Sequence, residues 1–362
     1  MTIAFRADAS LSIGTGHVMR CLTLARDLRA RGATCRFVTR ALPGHLAAQI
    51  EAAGFGLALL PAGTGPAPEA PPAHAAWACV DWATDAAETR AALDDRPDWL
   101  VMDHYAFDAR WQRAVRPEGS KLMVIDDLAD RPHDCDMLLD QNLGHDAHDY
   151  DGLVPEHCIC LTGPRHALLR PEFAQTRASA LAERVRRGLR HLLINMGGVD
   201  LLDATSQVLR AVKGADLPED LRITVVMGAR APALDHVRAL ARDMPRPTEI
   251  AADVTDMAAR MASADLAIGA AGSTTWERCA LGLPTIIVEI ADNQAGIARA
   301  LSDAGAALYP GPLNVPEFAQ NLQAALAAAP SQLGKMSDRA ADICDGNGAA
   351  RVVAALHMET FA

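Results

Sequence analysis

The sequence has few aromatic residues and no long apolar run. Only 4% of its 362 residues are Phe, Trp or Tyr, and no stretch of 18 or more uninterrupted apolar residues occurs. Because a helix needs about 20 apolar residues to cross a bilayer, we expect no membrane span. The first ten residues carry Arg6 and Asp8 where a secretory signal has its apolar core. We therefore expect a cytoplasmic protein.

Positive charge is also scarce. The chain has 34 Lys and Arg residues against 45 Asp and Glu residues, a net charge of -11. Proteins that bind nucleic acid need a basic surface to displace counterions, so no nucleic-acid partner is expected. A phosphorylated ligand would need local attraction, from helix amino ends and oriented amides, rather than a basic surface.

Paired cysteine motifs are absent as well. The eight cysteines are scattered, no C-x-x-C pair occurs, and Cys158 and Cys160 have no second ligand pair at zinc-finger spacing. A disulfide framework and a zinc site are therefore not expected. His133, His145 and His148 lie in a polar, irregular stretch that is typical of a surface loop, so we predict no metal site.

Short apolar runs alternate with amphipathic helical stretches along the whole chain, which is typical of a wound α/β architecture. The length suits two domains. We predict an N-terminal Rossmann-like domain over 1–171, a linker over 172–189, a C-terminal Rossmann-like domain over 190–345 and a final helix over 346–362. The predicted strands are Thr2–Phe5, Ala33–Thr39, Gly56–Leu60, Trp99–Met102, Leu122–Ile125, Met137–Leu139, Leu192–Asn195, Ile223–Met227, Glu249–Ala251, Leu266–Ile268 and Thr285–Val288.

A glycine-containing loop with a histidine follows the first predicted strand. Gly14 and Gly16 permit tight turns, and His17 falls in the first turn of the next helix, with Arg20 on the same face. The positive helix end disfavours a protonated imidazole, and a neutral imidazole can act as a general base. A turn with a capping histidine and no ligand explains the same spacing.

A second loop, which contains Gly272, Ser273 and Thr274, follows a strand and opens a helix. Free amides and hydroxyls there suit a phosphate, and Glu277 is placed to accept hydrogen bonds from ribose. The spacing of Thr274 and Glu277 fits a capping box equally well, and a capping box is a purely structural motif. The loop lacks the G-x-G-x-x-G and Walker spacings, so we expect no nicotinamide cofactor, and no cofactor of another kind is predicted.

Polar residues follow other predicted strands. Asp103 and Tyr105 follow one strand, Asp126 and Asp127 the next, and Asn142 a third. In open parallel sheets ligands bind at the carboxyl ends of the strands, so these groups face the predicted site. Helix caps or surface acids are the alternative interpretation. The sets Gly197-Gly198 and Asn293-Gln294 occupy similar positions in the second half, where Asn293 also suits a helix cap.

These motifs together resemble a known family. In chain order they are Arg6-x-Asp8, Ile13-Gly14-x-Gly16-His17-x-x-Arg20, Asp103-His104-Tyr105, Ile125-Asp126-Asp127-Leu128-Ala129, Asp140-Gln141-Asn142, Gly163-Pro164, Ala167-Leu168-Leu169-Arg170-Pro171-Glu172-Phe173, Gly197-Gly198, Gly272-Ser273-Thr274-Thr275-Trp276-Glu277 and Asn293-Gln294. Their order and combination resemble the UDP-2,4-diacetamido-2,4,6-trideoxy-β-L-altropyranose hydrolases of the pseudaminic acid pathway. The match spans about residues 3–300.

The resemblance implies a GT-B fold, in which two Rossmann-like domains with parallel sheets face a central cleft. It also implies a C-terminal half similar to the UDP-N-acetylglucosamine transferase that makes lipid II. In that wider group uracil contacts the segment matching Val254 and Met257, the ribose meets the acid matching Glu277, and the diphosphate meets the loop matching Gly272, Ser273 and Thr274. We assign Gly14, Gly16, Arg20, Gly197 and Gly198 to UDP as well.

The implied reaction is attack of water at the anomeric carbon, which releases UDP with inversion. The catalytic histidine of the family matches His17, which would deprotonate the water. Tyr105 and Asn293 match positions near the sugar, and Asp103, Asn142 and Gln294 are weaker matches. The family often has tyrosine where this chain has His166, and the segment 61–75 matches no part of the family, so the identity of the sugar stays open.

Three other functions remain to be weighed. A glycosyltransferase of the same fold would need an acceptor site, and a hydrolysing 2-epimerase would need carboxylates near the sugar C2 and C3. A UDP-sugar-binding regulator would need no base such as His17. In every case the expected partner is a small UDP-sugar, and we expect a monomer.

Overall fold

The computed structural model describes residues 1–63, 68–93, 96–184 and 188–360. The chain divides into two compact units. Unit 1 comprises Met1–Leu168 and the C-terminal segment from Gly348 onward, and unit 2 comprises Leu169–Asn347. Each unit is built around its own parallel β-sheet.

Unit 1 contains a seven-stranded sheet in the order β3-β2-β1-β4-β5-β6-β7, with every pair parallel. The strands are β1 (Thr2–Ala7), β2 (Thr34–Arg40), β3 (Gly56–Leu60), β4 (Trp99–Asp103), β5 (Lys121–Ile125), β6 (Met137–Asp140) and β7 (Ile159–Thr162). The helices are α1 (Gly16–Ala30), α2 (Ala47–Ala52), α3 (Trp82–Ala92) and α4 (Ala109–Val115), followed at the end of the chain by α13 (Gly348–Thr360).

Unit 2 contains a six-stranded parallel sheet in the order β10-β9-β8-β11-β12-β13. The strands are β8 (His191–Asn195), β9 (Arg222–Met227), β10 (Thr248–Ala252), β11 (Leu266–Ala270), β12 (Thr285–Val288) and β13 (Ala307–Leu308). The helices are α5 (Pro171–Arg184), α6 (Ala204–Lys213), α7 (Leu234–Arg242), α8 (Met257–Ser263), α9 (Thr274–Ala280), α10 (Ala295–Asp303), α11 (Phe318–Ala328) and α12 (Leu333–Ile343).

The central strands are apolar because helices cover both faces of each sheet. All five residues of β4 are buried, as are all five of β8 and of β11. In unit 1, alternate residues of β1 and β4 enter two separate apolar clusters, one on each face of the sheet. All eleven predicted strands coincide with observed ones. A strand buried on both faces reads as a continuous apolar run, which explains nine of them, whereas β3 and β10 are half-buried or exposed over most of their length.

The strand orders locate the ligand-binding edge of each unit. The chain leaves the centre of the sheet in opposite directions on either side of β1 and β4 in unit 1, and of β8 and β11 in unit 2. In such doubly wound sheets the loops after these two strands diverge and leave a crevice at their carboxyl ends. The predicted site loops containing His17, Asp103, Gly197 and Gly272 are the loops in question.

The segment predicted as a linker is an integral helix of unit 2. Helix α5 packs on α8, α9 and α12, and the Arg184 guanidinium donates to the backbone carbonyls of Met261, Ala264 and Leu281. A buried arginine that satisfies three carbonyls ties the helix to the unit, which the charged character of the segment did not predict. Residues 185–187 of the predicted linker and residues 64–67 of the segment 61–75 lie outside the described residues.

The final helix belongs to unit 1. Helix α13 contacts α1, and the Trp99 indole Nε1 donates to Thr360 Oγ1 at 2.9 Å. The predicted final helix over 346–362 therefore closes the core of the first domain rather than extending the second. Strands β7 and β13 were not predicted, because the residues of β7 are all half-buried and β13 has only two residues.

Candidate active site

The loop between β1 and α1 holds His17 at the carboxyl edge of the unit 1 sheet. Ser10 and Gly14 exchange backbone hydrogen bonds, and Gly14 has a φ of +80°, which favours glycine. This turn brings the chain directly into α1, so His17 lies in the first helical turn as predicted, with 7% of its surface exposed.

His17 is paired with a carboxylate from the neighbouring strand. Its Nδ1 lies 2.6 Å from Oδ1 of Asp103, the last residue of β4, and Asp103 is fully buried. Burial alone would raise the pKa of Asp103, but Arg20 and His17 hold that pKa well below its ordinary value. The ionised carboxylate accepts the Nδ1 proton, so the free lone pair of the imidazole is on Nε2.

Arg20 holds the other side of Asp103. Its Nε and Nη2 donate to the two Asp103 oxygens at 2.6 and 2.7 Å, and its Nη1 donates to Asp127 at 2.6 Å. We predicted Arg20 as a UDP ligand and Asp103 as a sugar ligand. In the structure the Arg20 guanidinium pairs with two carboxylates and Asp103 is buried, so both residues are placed to position His17, and their contacts with ligand stay predictions.

Asp127 joins three of the neighbouring side chains. Besides Arg20, it accepts a hydrogen bond from the Tyr105 hydroxyl at 2.5 Å and one from Asn142 Nδ2 at 3.2 Å. Tyr105 and Asn142 are predicted sugar ligands, and the structure brings both to the edge that holds His17. The sequence singled out Asp127 only as one polar residue at a strand end, because its partners are remote along the chain.

Two aromatic residues near His17 were not predicted at all. The Trp77 and His74 side chains lie beside Tyr105, with ring centroids 5.6 and 5.7 Å from that of Tyr105. Both precede α3; His74 lies in the segment 61–75, which matches no part of the family, and Trp77 lies just beyond it. A Trp and a His three residues apart, in a chain with few aromatics, is the signal that points to them.

The Arg6-x-Asp8 motif is structural. Arg6 pairs with Asp8 at 2.6 Å and with Asp85 at 2.7 Å, and Arg40 also pairs with Asp85 at 2.6 Å. All four side chains are fully buried. This paired network joins the ends of β1 and β2 to α3 beneath the loops, and it presents no charge to a ligand.

In unit 2 the glycines after β8 leave an open edge. A side chain added at Gly197, Gly198 or Gly272 would meet no atom within 4 Å. Gly228, after β9, is packed in the opposite way: its amide donates to the Gly198 carbonyl, and an added Cβ would lie 2.3 Å from that oxygen. Backbone contact with Gly228 therefore fixes the inner side of the loop that contains Gly197 and Gly198, whereas the outer side of that loop is accessible.

A buried cation lies beneath the loop between β11 and α9. Arg278 is 2% exposed, and its guanidinium donates to the Ala270 carbonyl at 2.8 Å and to the hydroxyls of Thr275 and Thr274 at 3.0 and 3.2 Å. Burial lowers the pKa of Arg278 to about 10, so the side chain stays protonated at pH 7. In the described part of the chain no carboxylate lies within ion-pair distance of Arg278.

Glu277 does not form the capping box that its spacing allows. Helix α9 begins at Thr274, the preceding Ser273 makes no side-chain cap, and Glu277 instead faces Arg170 at 3.7 Å. Its side chain is 16% exposed. Burial raises its pKa to about 7, although Arg170 and Arg278 oppose that rise. A carboxylate kept in an unfavourable setting without a capping role is typical of a ligand-binding group.

The remaining predicted ligands lie at the same edge of the unit 2 sheet. Val254 and Met257 follow β10 and are half-buried. Asn293 and Gln294 follow β12. Asn293 is exposed and does not cap α10. The side-chain oxygen Oε1 of Gln294 accepts a hydrogen bond from the Ile290 amide at 3.1 Å. Their proposed contacts with ligand stay predictions.

The three histidines that were considered for metal binding have separate partners. His133 contacts Gln112, His145 pairs with Asp140 at 2.7 Å, and His148 pairs with Asp146 at 3.1 Å. In the described residues no group of three or more His, Cys, Asp or Glu side chains could hold a metal ion. Nor does any helix within those residues have the length and apolarity to span a membrane.

Known proteins share parts of this chain. Residues 192–340 match the profile of the glycosyltransferase family 28 C-terminal domain. The UDP-2,4-diacetamido-2,4,6-trideoxy-beta-L-altropyranose hydrolase of Campylobacter jejuni is 26% identical over 243 residues, which are 67% of this chain and 75% of that protein. The resemblance derived from the motifs is therefore confirmed.

Two further comparisons concern glycosyltransferases. The UDP-N-acetylglucosamine–N-acetylmuramyl-(pentapeptide) pyrophosphoryl-undecaprenol N-acetylglucosamine transferase of Phenylobacterium zucineum is 34% identical over 170 residues, 44% of this chain and 46% of that protein. The crystal structure of MurG from Acinetobacter baumannii has a TM-score of 0.70 and 17% identity, covering 99% of each chain. This likeness bears on the fold alone: two Rossmann-like domains of the GT-B class.

Proposed function

We propose that the protein hydrolyses a UDP-linked 2,4-diacetamido-2,4,6-trideoxy sugar to the free sugar and UDP, with inversion at the anomeric carbon. The pairing of His17 with buried Asp103 is the single observation that carries this proposal. A glycine-rich turn with a capping histidine would not need a carboxylate held by an arginine behind the ring. The similarity to the Campylobacter hydrolase supports the choice of substrate.

Unit 1 supplies the chemistry in this proposal. His17 Nε2 takes a proton from water, the water oxygen bonds to the anomeric carbon, and the bond from that carbon to the UDP oxygen breaks. The electron pair of the broken bond stays on UDP. Asp103 keeps the imidazole in the required tautomer and stabilises the imidazolium that forms, while Arg20 compensates the Asp103 charge. Water attacks opposite the leaving group, which gives inversion.

Unit 2 binds UDP in this proposal. The diphosphate contacts the loop amides of Gly197, Gly198, Gly272 and Ser273, as well as the Thr274 hydroxyl. The positive charge of Arg278 beneath the loop supplies the local attraction that an acidic protein needs. Such fixed donors stabilise the charge that develops on UDP as it leaves.

The uridine and sugar contacts follow the resemblance. Val254 and Met257 contact uracil, and Glu277 accepts hydrogen bonds from the ribose hydroxyls. Asn142, Tyr105, Asn293 and Gln294 contact the sugar, and Gly14 and Gly16 leave room at the start of α1 for close approach of the substrate.

Under this proposal the reaction belongs to a cytoplasmic pathway for a pseudaminic-acid-type nonulosonate, which is used in a cell-surface glycan such as that of glycosylated flagellin. The enzyme acts as a monomer and without a cofactor.

A glycosyltransferase is the second candidate. The family 28 match over residues 192–340 and the 34% identity to a transferase favour it. The family 28 match lies in the half that we propose binds the nucleotide, and hydrolases and transferases of this fold use that half alike. The two activities differ in one respect, because a transferase needs an acceptor other than water.

The test uses that difference. The protein is incubated with the UDP-trideoxy sugar and no acceptor, and free UDP and free sugar are followed by chromatography. Stoichiometric release of both supports the hydrolase. An absence of UDP release would refute it, and release only after a cell extract is added would favour the transferase.

A further inference from the structure

Three aromatic side chains form a wall beside His17, which we call the aromatic wall: Tyr105, Trp77 and His74. The Tyr105 ring meets the His17 ring edge-on, with centroids 4.6 Å apart, and Trp77 lies 6.2 Å from His17. Trp77 and Tyr105 are stacked at 5.6 Å with an angle of 29° between their planes. His74 packs on Trp77 at 4.6 Å.

The Tyr105 hydroxyl is not available to a ligand. It donates to Asp127 at 2.5 Å, and the Arg131 guanidinium lies 5.7 Å from the Tyr105 ring centroid. Burial, followed by the Asp127 charge, raises the pKa of Tyr105 well above its ordinary value, so the hydroxyl stays neutral. What Tyr105 offers beside His17 is therefore a ring whose orientation is fixed.

Trp77 packs at the edge of an apolar cluster of unit 1, but core packing does not account for the part of its side chain that stays exposed. Trp99, Trp111 and Trp276 are at most 1% exposed, which is the usual fate of tryptophan in a core. Trp77 is only half-buried, although Ala75 and Ala78 of the same short 3-10 turn are buried and anchor it. An indole that is fixed by its backbone yet left partly open next to a paired histidine is suited to contact a ligand.

We propose that Trp77, together with the Tyr105 ring, is a binding platform for the apolar face of the substrate's pyranose ring. The inference rests on the proposed function, because it identifies the ligand as the sugar that reacts at His17. Trp77 then determines specificity for the sugar, and the segment 68–78 is part of the sugar site.

The wall carries no charge at neutral pH. Burial, Arg131 and His17 lower the pKa of His74 below its ordinary value of 6.5, so its imidazole is neutral at pH 7. Neutral rings favour the C–H face of a sugar, and deoxy positions enlarge that face. A hydroxyl added to an apolar contact is rejected only by about tenfold to a hundredfold, so we expect preference rather than exclusion.

The expected size of the effect follows from area. Stacking a pyranose on an indole removes on the order of 60 Å² of apolar surface from water, which corresponds to about a tenfold change in affinity. Loss of the indole should therefore weaken binding of the UDP-sugar about tenfold. Affinity for UDP alone should stay the same, because UDP does not reach the platform.

The experiment measures the dissociation constants of UDP and of the UDP-trideoxy sugar by isothermal titration calorimetry, in a His17→Ala background that prevents turnover. Trp77→Ala is compared with Trp82→Ala. Trp82 is a matched control because it is also half-buried and lies five residues further on, but it packs near Arg110, with 5.5 Å from the Arg110 guanidinium to its ring centroid. We expect only Trp77→Ala to raise the ratio of the two constants.

Two further variants keep the outcome decisive. Trp77→Phe retains a ring and should stay within about threefold of the parent. Trp77→Leu fills space without a π face and should weaken sugar binding as Trp77→Ala does; it replaces Trp77→Ala in the comparison if circular dichroism shows that the alanine variant has lost its fold. Equal effects of Trp77→Ala on both ligands, or no effect on the sugar, would overturn the platform. Failure of the wild-type protein to release UDP would instead refute the proposed hydrolysis. The ratio of the dissociation constants of UDP and of the UDP-trideoxy sugar would still test the platform.

Discussion

Replacement of Glu277 by glutamine distinguishes a ligand-binding carboxylate from a structural one. A capping acid stabilises its helix, so its loss would cost about 0.5–2 kcal/mol. A buried carboxylate that serves to bind a ligand lowers the stability of the folded protein when no ligand is bound, so removal of its charge stabilises the fold. The two interpretations therefore predict opposite signs for Glu277→Gln.

The magnitude follows from the pKa. Burial raises the pKa of Glu277 from 4.5 to about 7. At about 1.4 kcal/mol per pKa unit, ionisation of this group costs the folded state on the order of 3 kcal/mol relative to the unfolded chain. Because the native carboxyl holds its proton more tightly, this cost grows as the pH rises from about 4.5 to about 7 and is constant above.

The assay is urea unfolding of both proteins, followed by circular dichroism at pH 5 and pH 8. The variant loses the 3.7 Å contact between the Glu277 carboxylate and Arg170. We therefore expect a net gain of about 1–3 kcal/mol at pH 8 and a much smaller gain at pH 5. Equal gains at both pH values, or a loss of stability at pH 8, would refute the assignment of Glu277 as a strained ligand-binding acid.

Four other predictions follow from the geometry. Asp103→Asn should lower kcat at least a hundredfold with little change in the dissociation constant of UDP, because His17 loses its tautomer control; an unchanged kcat would contradict the dyad. His17→Ala should bind UDP normally in calorimetry but lose most turnover, and near-normal turnover would remove His17 from its role. Uridine, which has no titrating phosphate, should bind less tightly below pH 7 as Glu277 gains a proton, and Glu277→Gln should abolish that pH dependence. Gly228→Ala should lower the thermal unfolding midpoint, since its Cβ would lie 2.3 Å from the Gly198 carbonyl oxygen; an unchanged midpoint would show that this loop yields freely.

Most strands were predictable because they are buried on both faces of their sheets. A short apolar run such as Trp99–Met102 is typical of a buried strand, and glycine after such a run indicates a turn into a helix. Strand β7 consists of four half-buried residues, and its apolar stretch of three is too short to show the period of a strand. The place of helix α5 within unit 2 was not predictable from its charges, because Arg184 donates to backbone carbonyls and does not face solvent.

The site was predictable as a set of loops, but the partners of its side chains were not. The position of His17 follows from local turn chemistry, and it was assigned correctly to the first turn of α1. The pairing of Arg20 with Asp103 joins residues 83 positions apart, and spacing along the chain holds no information on it. The same holds for Trp77, which stacks on Tyr105 although Tyr105 lies 28 positions further along the chain.

The chain is acidic as a whole, but the charges at its two candidate site loops are arranged differently. The carboxylates of Asp103 and Asp127, close to His17, form ion pairs with Arg20. The guanidinium of Arg278, beneath the Gly272 loop, has no carboxylate within ion-pair distance among the described residues. The proposed diphosphate contacts therefore rely on the local charge of Arg278, although the chain has a net charge of -11.

Hydrolysis in water enriched in heavy oxygen tests the central claim most directly. The UDP-trideoxy sugar is turned over once in labelled water, and the first sugar anomer is identified by NMR while mass spectrometry locates the label. Attack of water at the anomeric carbon, directed by His17, predicts the label in the sugar and an inverted anomer. Label in UDP, or a retained anomer, would contradict the account.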